Sequence, residues 1–141
     1  MILTAVDDAQ VNRLVWEEAR LRGILVNTAD EPSRCDFIIP ALVRRGDLTV
    51  AISTAGKSPA LASRLRTQLE AMLGPEYGRL VEVLGRWRPR LRERFKNAEQ
   101  RKLIHSRIVD SDALEFAREE DTEALERLLA QIVEETAEGG E

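Results

Sequence analysis

Apolar and polar positions change period twice within the first thirty residues. Met1–Val6 (MILTAV) is a short apolar run of strand type. Val11, Leu14, Val15 and Ala19 then recur on one helical face. Asp7 and Asp8 stand where a cap is needed, and Gly23 is placed to end the helix in a left-handed conformation. Ile24–Asn27 (ILVN) returns to strand character. Strand, helix and strand in so short a span predict a βαβ unit with parallel pairing. Two parallel strands and one helix leave edges and faces uncovered. The remainder of the sheet is therefore expected from residues before Met1, from a second subunit, or from a different local fold.

A polar loop containing Pro32 follows, and then Phe37–Arg45 is extended but interrupted by Pro40, which suits an edge. Arg45-Gly46-Asp47 is a turn signal before Leu48–Thr54 (LTVAIST), so the two runs predict a hairpin. A helix starts at Ser58-Pro59, carries Leu61, Leu65, Leu69 and Met72 on one face, and stops at Gly74-Pro75. The rest reads as helical. A stripe from Tyr77 through Leu84 and Trp87 to Phe95 crosses Pro89, which is expected to kink or split the helix. Leu103, Ile104 and Ile108 continue it, Asp112 with Glu115 makes a capping-box signature, and a last helix carries Leu125, Leu129 and Val133.

Composition narrows the class. Hydrophobic residues make up 43% and aromatics only 4%, so the core must be aliphatic. No apolar run approaches the ~20 residues of a membrane helix, and Cys35 as the only cysteine excludes an internal disulfide or a four-cysteine metal framework. The expectation is a cytoplasmic protein with no membrane partner. Charge is segregated. Residues 1–36 are net −3, residues 37–109 carry 15 basic and 6 acidic side chains, and residues 110–141 carry 2 basic and 12 acidic ones. A basic centre beside an acidic end implies either an anionic ligand or internal pairing. The acidic tail and the lack of interleaved aromatics count against a nucleic-acid partner.

Four stretches carry a resemblance. They are Val6-Asp7-Asp8 with Val11-Asn12; Gly23 to Pro32 (GILVNTADEP); Cys35-Asp36-Phe37-Ile38-Ile39-Pro40; and Leu48 to Pro59 (LTVAISTAGKSP). Together they resemble the siroheme-synthase N-terminal family, precorrin-2 dehydrogenase/sirohydrochlorin ferrochelatase, closely over residues 1–75. The resemblance implies an α/β remnant of a Rossmann-like lobe (1–36), then a small β dimerisation region made of a hairpin plus helix (37–73), then a helical lobe with an acidic tail (74–141). It implies a homodimer that acts on precorrin-2 and sirohydrochlorin, with NAD as cofactor and ferrous iron as substrate. Two positions depart from the family pattern: Val6 stands for its threonine and Ala55 for a usual glycine. The glycine-rich turn that holds the NAD pyrophosphate is not among these residues. Chelation, which needs no nucleotide, is therefore the activity this chain alone better supports. A non-catalytic dimerising or regulatory tetrapyrrole-binding relative is the alternative.

The resemblance puts the catalytic carboxylate at Asp30, just beyond the second strand, as a base for dehydrogenation and metal insertion; the plain alternative is a turn aspartate. Asn27 orients substrate or satisfies its own backbone. Ser53, Thr54 and Lys57, beside the Ser58-Pro59 helix start, bind substrate carboxylates or serve as ordinary capping residues. Residues binding the cofactor are not assigned, and no metal ligands are expected. The alternating basic residues from Arg86 to Lys96 would spread around a helix as a solvated or internally paired face. His105, a rival base to Asp30, is otherwise a surface or capping residue. Cys35 is expected to pack rather than react.

Overall fold

The computed structural model describes residues 1–29 and 31–138. Strand β1 (Ile2–Thr4) pairs in parallel with β2 (Val26–Thr28), with Ile2 opposite Val26 and Thr4 opposite Thr28, and α1 (Ala9–Leu21) connects them. The expected βαβ unit is present, with strands of three residues each. Asp8 caps α1, its carboxylate accepting from the amides of Gln10 and Val11, and Gly23 takes a φ of +64° just past the helix. Asn12 ties the unit together from inside. Its amide oxygen accepts from the Thr4 hydroxyl at 2.6 Å and its nitrogen donates to the Val6 carbonyl at 2.9 Å. Both Asn12 and Thr4 are buried, so each polar group there needs this partner.

Strands β3 (Ala41–Arg45) and β4 (Leu48–Ile52) form the expected hairpin around Gly46, whose φ is +57°. Helices α2 (Pro59–Met72), α3 (Pro75–Arg94), α4 (Ala98–Val109), α5 (Ala113–Arg118) and α6 (Thr122–Glu138) complete the chain. The residues form two compact units, Met1–Leu42 with Ala51–Thr67, and Val43–Val50 with Gln68–Glu141.

The second unit holds the main aliphatic core. Leu91 of α3, Ile104 and Ile108 of α4, and Leu125 and Leu129 of α6 are almost completely shielded from solvent. Each such side chain contributes about 1.5–3 kcal/mol of transfer free energy. Trp87 is also buried there, and its indole N–H donates to Glu126 at 2.6 Å. Arg45 closes the C-terminal end of α2, donating to the carbonyls of Leu73 at 2.6 Å and Glu70 at 2.8 Å. Gly78 lies against the hairpin turn. A Cβ there would meet the Arg45 carbonyl oxygen at 2.7 Å.

Two local expectations are corrected. Pro89 does not split its helix: α3 runs unbroken from Pro75 to Arg94. The bond Pro89 forgoes is to the carbonyl of Gly85, and both residues are on the exposed side where water can replace it. The Asp112 side chain makes no cap; the Ser111 hydroxyl accepts from the Ala113 amide instead. The apolar face of α2 stays largely in solvent, with Leu61, Leu65 and Met72 at 49%, 37% and 70% exposure.

Candidate functional site

In the first unit, residues 35–37 clamp strand β2 from outside, one residue against one. The Asp36 carboxylate accepts from the Val26 amide at 2.9 Å while the Asp36 amide donates to the Val26 carbonyl at 2.8 Å. The Asn27 side-chain amide donates to the Phe37 carbonyl at 2.7 Å. The Cys35 thiol donates to the carbonyls of Thr28 at 3.2 Å and Glu31 at 3.3 Å. The Cys-Asp-Phe motif thus supplies the hydrogen-bond partners that a third strand would give to β2. It also pins the loop that leaves the strand, helped by a short 3₁₀ turn at Pro32–Arg34 and the Glu31–Arg34 ion pair at 2.5 Å.

Opposite that loop stands the segment between β4 and α2. Ala55 and Gly56 both have positive φ, +51° and +76°. This double left-handed turn explains why glycine suits position 55, and Ala55 bears the steric cost that glycine would not. Thr54 Oγ1 accepts from the Ser58 amide at 3.1 Å, Ser53 Oγ accepts from the Ala55 amide at 3.2 Å, and Ser58 Oγ accepts from the Leu61 amide at 3.3 Å. Ser58 therefore caps α2 as its position predicts.

The two segments enclose a cleft of about 530 Å³, within the ~300–1,000 Å³ range of ligand sites. Asn27, Thr28, Ser53 and Thr54 supply polar groups, while Ile38, Ile39, Ile52, Pro59 and Ala62 supply an apolar wall. Among the expected site residues, Asn27, Ser53 and Thr54 therefore share one cleft. Lys57 is exposed and does not line it. Asp30 lies outside the described residues, but Ala29 and Glu31 on either side of it both line the cleft. Sequence reasoning missed Thr28, buried and on the cleft wall. The signal for it was its place at the carboxyl end of a parallel strand, where open α/β sheets put ligands. Cys35 also lines the cleft, engaged with two carbonyls.

His105 belongs to the other unit, on α4. Partial burial and the nearby Arg88 guanidinium lower its pKa below the usual histidine value. Among the described residues no group of three His, Cys, Asp or Glu side chains is arranged to hold a metal. No helix among them is long and apolar enough to cross a membrane. The loop from β1 into α1 carries none of the glycines of a pyrophosphate-binding turn. It carries Asp7 and Asp8, and the Asp8 carboxylate already occupies the first amides of the helix.

Known proteins match the whole length of the chain. A family model described as putative NAD(P)-binding matches residues 1–41, one described as sirohaem biosynthesis protein central matches 45–72, and one described as sirohaem synthase dimerisation region matches 76–133. That last description falls on the helical residues, whereas the sequence reading gave dimerisation to 37–73. Siroheme synthase of Zymomonas mobilis is 34% identical over 95% of this chain and 28% of its own length. Siroheme synthase of Nitrosococcus oceani is 38% identical over 86% of this chain and 26% of its own length. The chain spans less than a third of the curated relatives it matches. A solved structure, SirC, precorrin-2 dehydrogenase, superposes with a TM-score of 0.68 at 28% identity, covering 96% of this chain and 63% of that one. The fold is accordingly the Rossmann-like α/β architecture followed by a hairpin and helices, and the chain is similar, region by region, to the NAD(P)-binding, central and dimerisation regions of siroheme synthase.

Proposed function

We propose that this chain works in siroheme biosynthesis, with its first-unit cleft receiving a carboxylated tetrapyrrole and Asp30 serving as the base. One observation carries the reading: the cleft brings Asn27, Ser53 and Thr54 together with both chain neighbours of Asp30. The apolar wall of Ile38, Ile39 and Ile52 suits the face of a flat macrocycle, and the hydroxyls and amide suit its carboxylate rim. Inserting a divalent metal ion into such a ring releases two pyrrole protons. A carboxylate beside the ring accepts protons at neutral pH and removes them from the nascent complex. Chelation needs no nucleotide, so insertion of ferrous iron into sirohydrochlorin is the activity these residues alone support better than NAD-dependent dehydrogenation of precorrin-2.

We further propose a homodimer organised as a partial Rossmann-like lobe (1–36), a dimerisation region (37–73) and a helical lobe (74–141). The exposed α2 face of Leu61, Leu65 and Met72 supports self-association there.

The direct test is anaerobic metal insertion with sirohydrochlorin and ferrous iron or cobalt. Asp30→Asn is expected to abolish turnover while keeping the fold. An unchanged rate would reject Asp30 as the base. Tetrapyrrole binding without turnover in the wild-type chain would favour a regulatory relative over an enzyme.

A further inference from the structure

Between residues 86 and 96, α3 and its exit carry a basic side chain at every second position. Positions two apart on a helix point about 200° from one another, and the structure sorts these residues into two sets. Arg86 pairs with Glu82 at 3.0 Å and with Glu126 of α6 at 3.3 Å. Arg94 grips both carboxylate oxygens of Glu134 at 2.6 Å, and Arg90 stacks over the Trp87 ring. Arg88 and Arg92 face α4 instead. With Ala98, Arg101, Lys102 and His105 they line a cavity of about 270 Å³ that has no carboxylate in its wall. Among the described residues, Arg88, Arg92 and Lys102 make no ion pair, although the chain as a whole carries an excess of acids.

Several features prepare this cavity for an anion. The Arg101 guanidinium is fixed by donating to the carbonyls of Phe95 at 2.6 Å and Lys96 at 2.8 Å. Ala98 is the first residue of α4, where the Asn97 side chain caps the helix by accepting from the Glu99 amide at 2.8 Å, so the positive character of the cavity comes from its side chains. Next to the cavity, Val81, Leu84 and Gly85 line a hollow of about 390 Å³ that shares Arg88 and His105 with it. Cationic and apolar surfaces thus run on continuously. Clustered like charges raise the free energy of the empty protein, and a bound anion relieves that repulsion.

We propose that the α3–α4 groove is a binding site for a multiply charged organic anion. Its acidic groups pair with Arg88, Arg92 and Lys102, and its apolar body lies on Val81, Leu84 and Gly85. The site is separate in its residues from the cleft of the first unit and does not depend on the reading of that cleft.

The test is an NMR titration of the full chain with naphthalene-1,4,5,8-tetracarboxylate and, separately, with inorganic pyrophosphate. Amide shifts are expected at Arg88, Arg92, Lys102 and His105 in the wild-type chain, whose shift map is read without reference to any variant. Losing two charge-assisted contacts in Arg88→Gln/Arg92→Gln should weaken the aromatic acid at least about tenfold. Arg86→Gln/Arg94→Gln removes the same charge from the same helix and should change affinity less than about twofold. Pyrophosphate, lacking an apolar body, should bind at least about tenfold more weakly than the aromatic acid. Equal losses in the two double variants, or wild-type shifts elsewhere, would overturn the site. Equal affinity for pyrophosphate would overturn the amphipathic ligand class.

Discussion

Two glycines on one helix should respond to alanine in opposite directions. Gly78 and Gly85 both lie within α3, and either would gain about 1 kcal/mol of helix propensity on becoming alanine. A Cβ at Gly85 meets nothing within 4 Å. A Cβ at Gly78 meets the Arg45 carbonyl oxygen at 2.7 Å, its carbonyl carbon at 2.8 Å and the Gly46 amide at 3.2 Å. These atoms are backbone and cannot rotate away, so the hairpin turn must shift. Overpacking of this kind costs about 1–3 kcal/mol, which cancels or exceeds the gain. Gly85→Ala should therefore stabilise by about 0.5–1 kcal/mol, and Gly78→Ala should be neutral or destabilise by up to about 2 kcal/mol. Urea unfolding followed by the fluorescence of Trp87, buried on the same helix, measures both. Equal stabilisation by the two changes would show that the close approach of turn and helix is not as described.

Three further outcomes follow from named groups. Asn12→Ala strands the buried Thr4 hydroxyl and the Val6 carbonyl, and should cost about 1–3 kcal/mol in chemical denaturation. In light scattering, Leu61→Arg/Leu65→Arg should convert a dimer to a monomer, whereas Leu103→Arg/Val109→Arg on the exposed side of α4 should not; the reverse would move self-association to the helical residues. His105 has a folded pKa below its ordinary value, so the unfolded chain takes up its proton first as pH falls. Its stabilising effect is complete above about pH 6.5 and is lost as pH drops through the folded value, and His105→Gln should flatten that part of the stability profile.

Much of the fold was legible because local chemistry and tertiary need agreed. Asp8, Gly23, Gly46 and Ser58 each do in the structure what their residue type does in isolation. Legibility failed where a neighbour far along the chain decided the outcome. Pro89 reads as a break, yet the packing of Leu80, Trp87 and Leu91 on one face keeps α3 continuous. The basic run from Arg86 to Lys96 looked uniform because a sequence does not reveal which side of α3 meets the glutamates of α6 and which meets α4. The split at Glu120, with a φ of +61°, separates α5 from α6 without glycine or proline to announce it. At the cleft, the motifs lie on the loops that line it, but nothing local indicated that Asp36 and Cys35 serve as a substitute strand edge for β2, or that Lys57 would stay off the cleft.

The most direct measurement is an anaerobic equilibrium titration of sirohydrochlorin into the wild-type chain and into Ala29→Trp, which fills the first-unit cleft from its exposed rim. Saturable binding to the wild type, weakened at least about tenfold by the substitution, is the expected result. Undiminished binding to Ala29→Trp when Arg88→Gln/Arg92→Gln is also present, or none to the wild-type chain, would contradict a tetrapyrrole site between the exit of β2 and the start of α2.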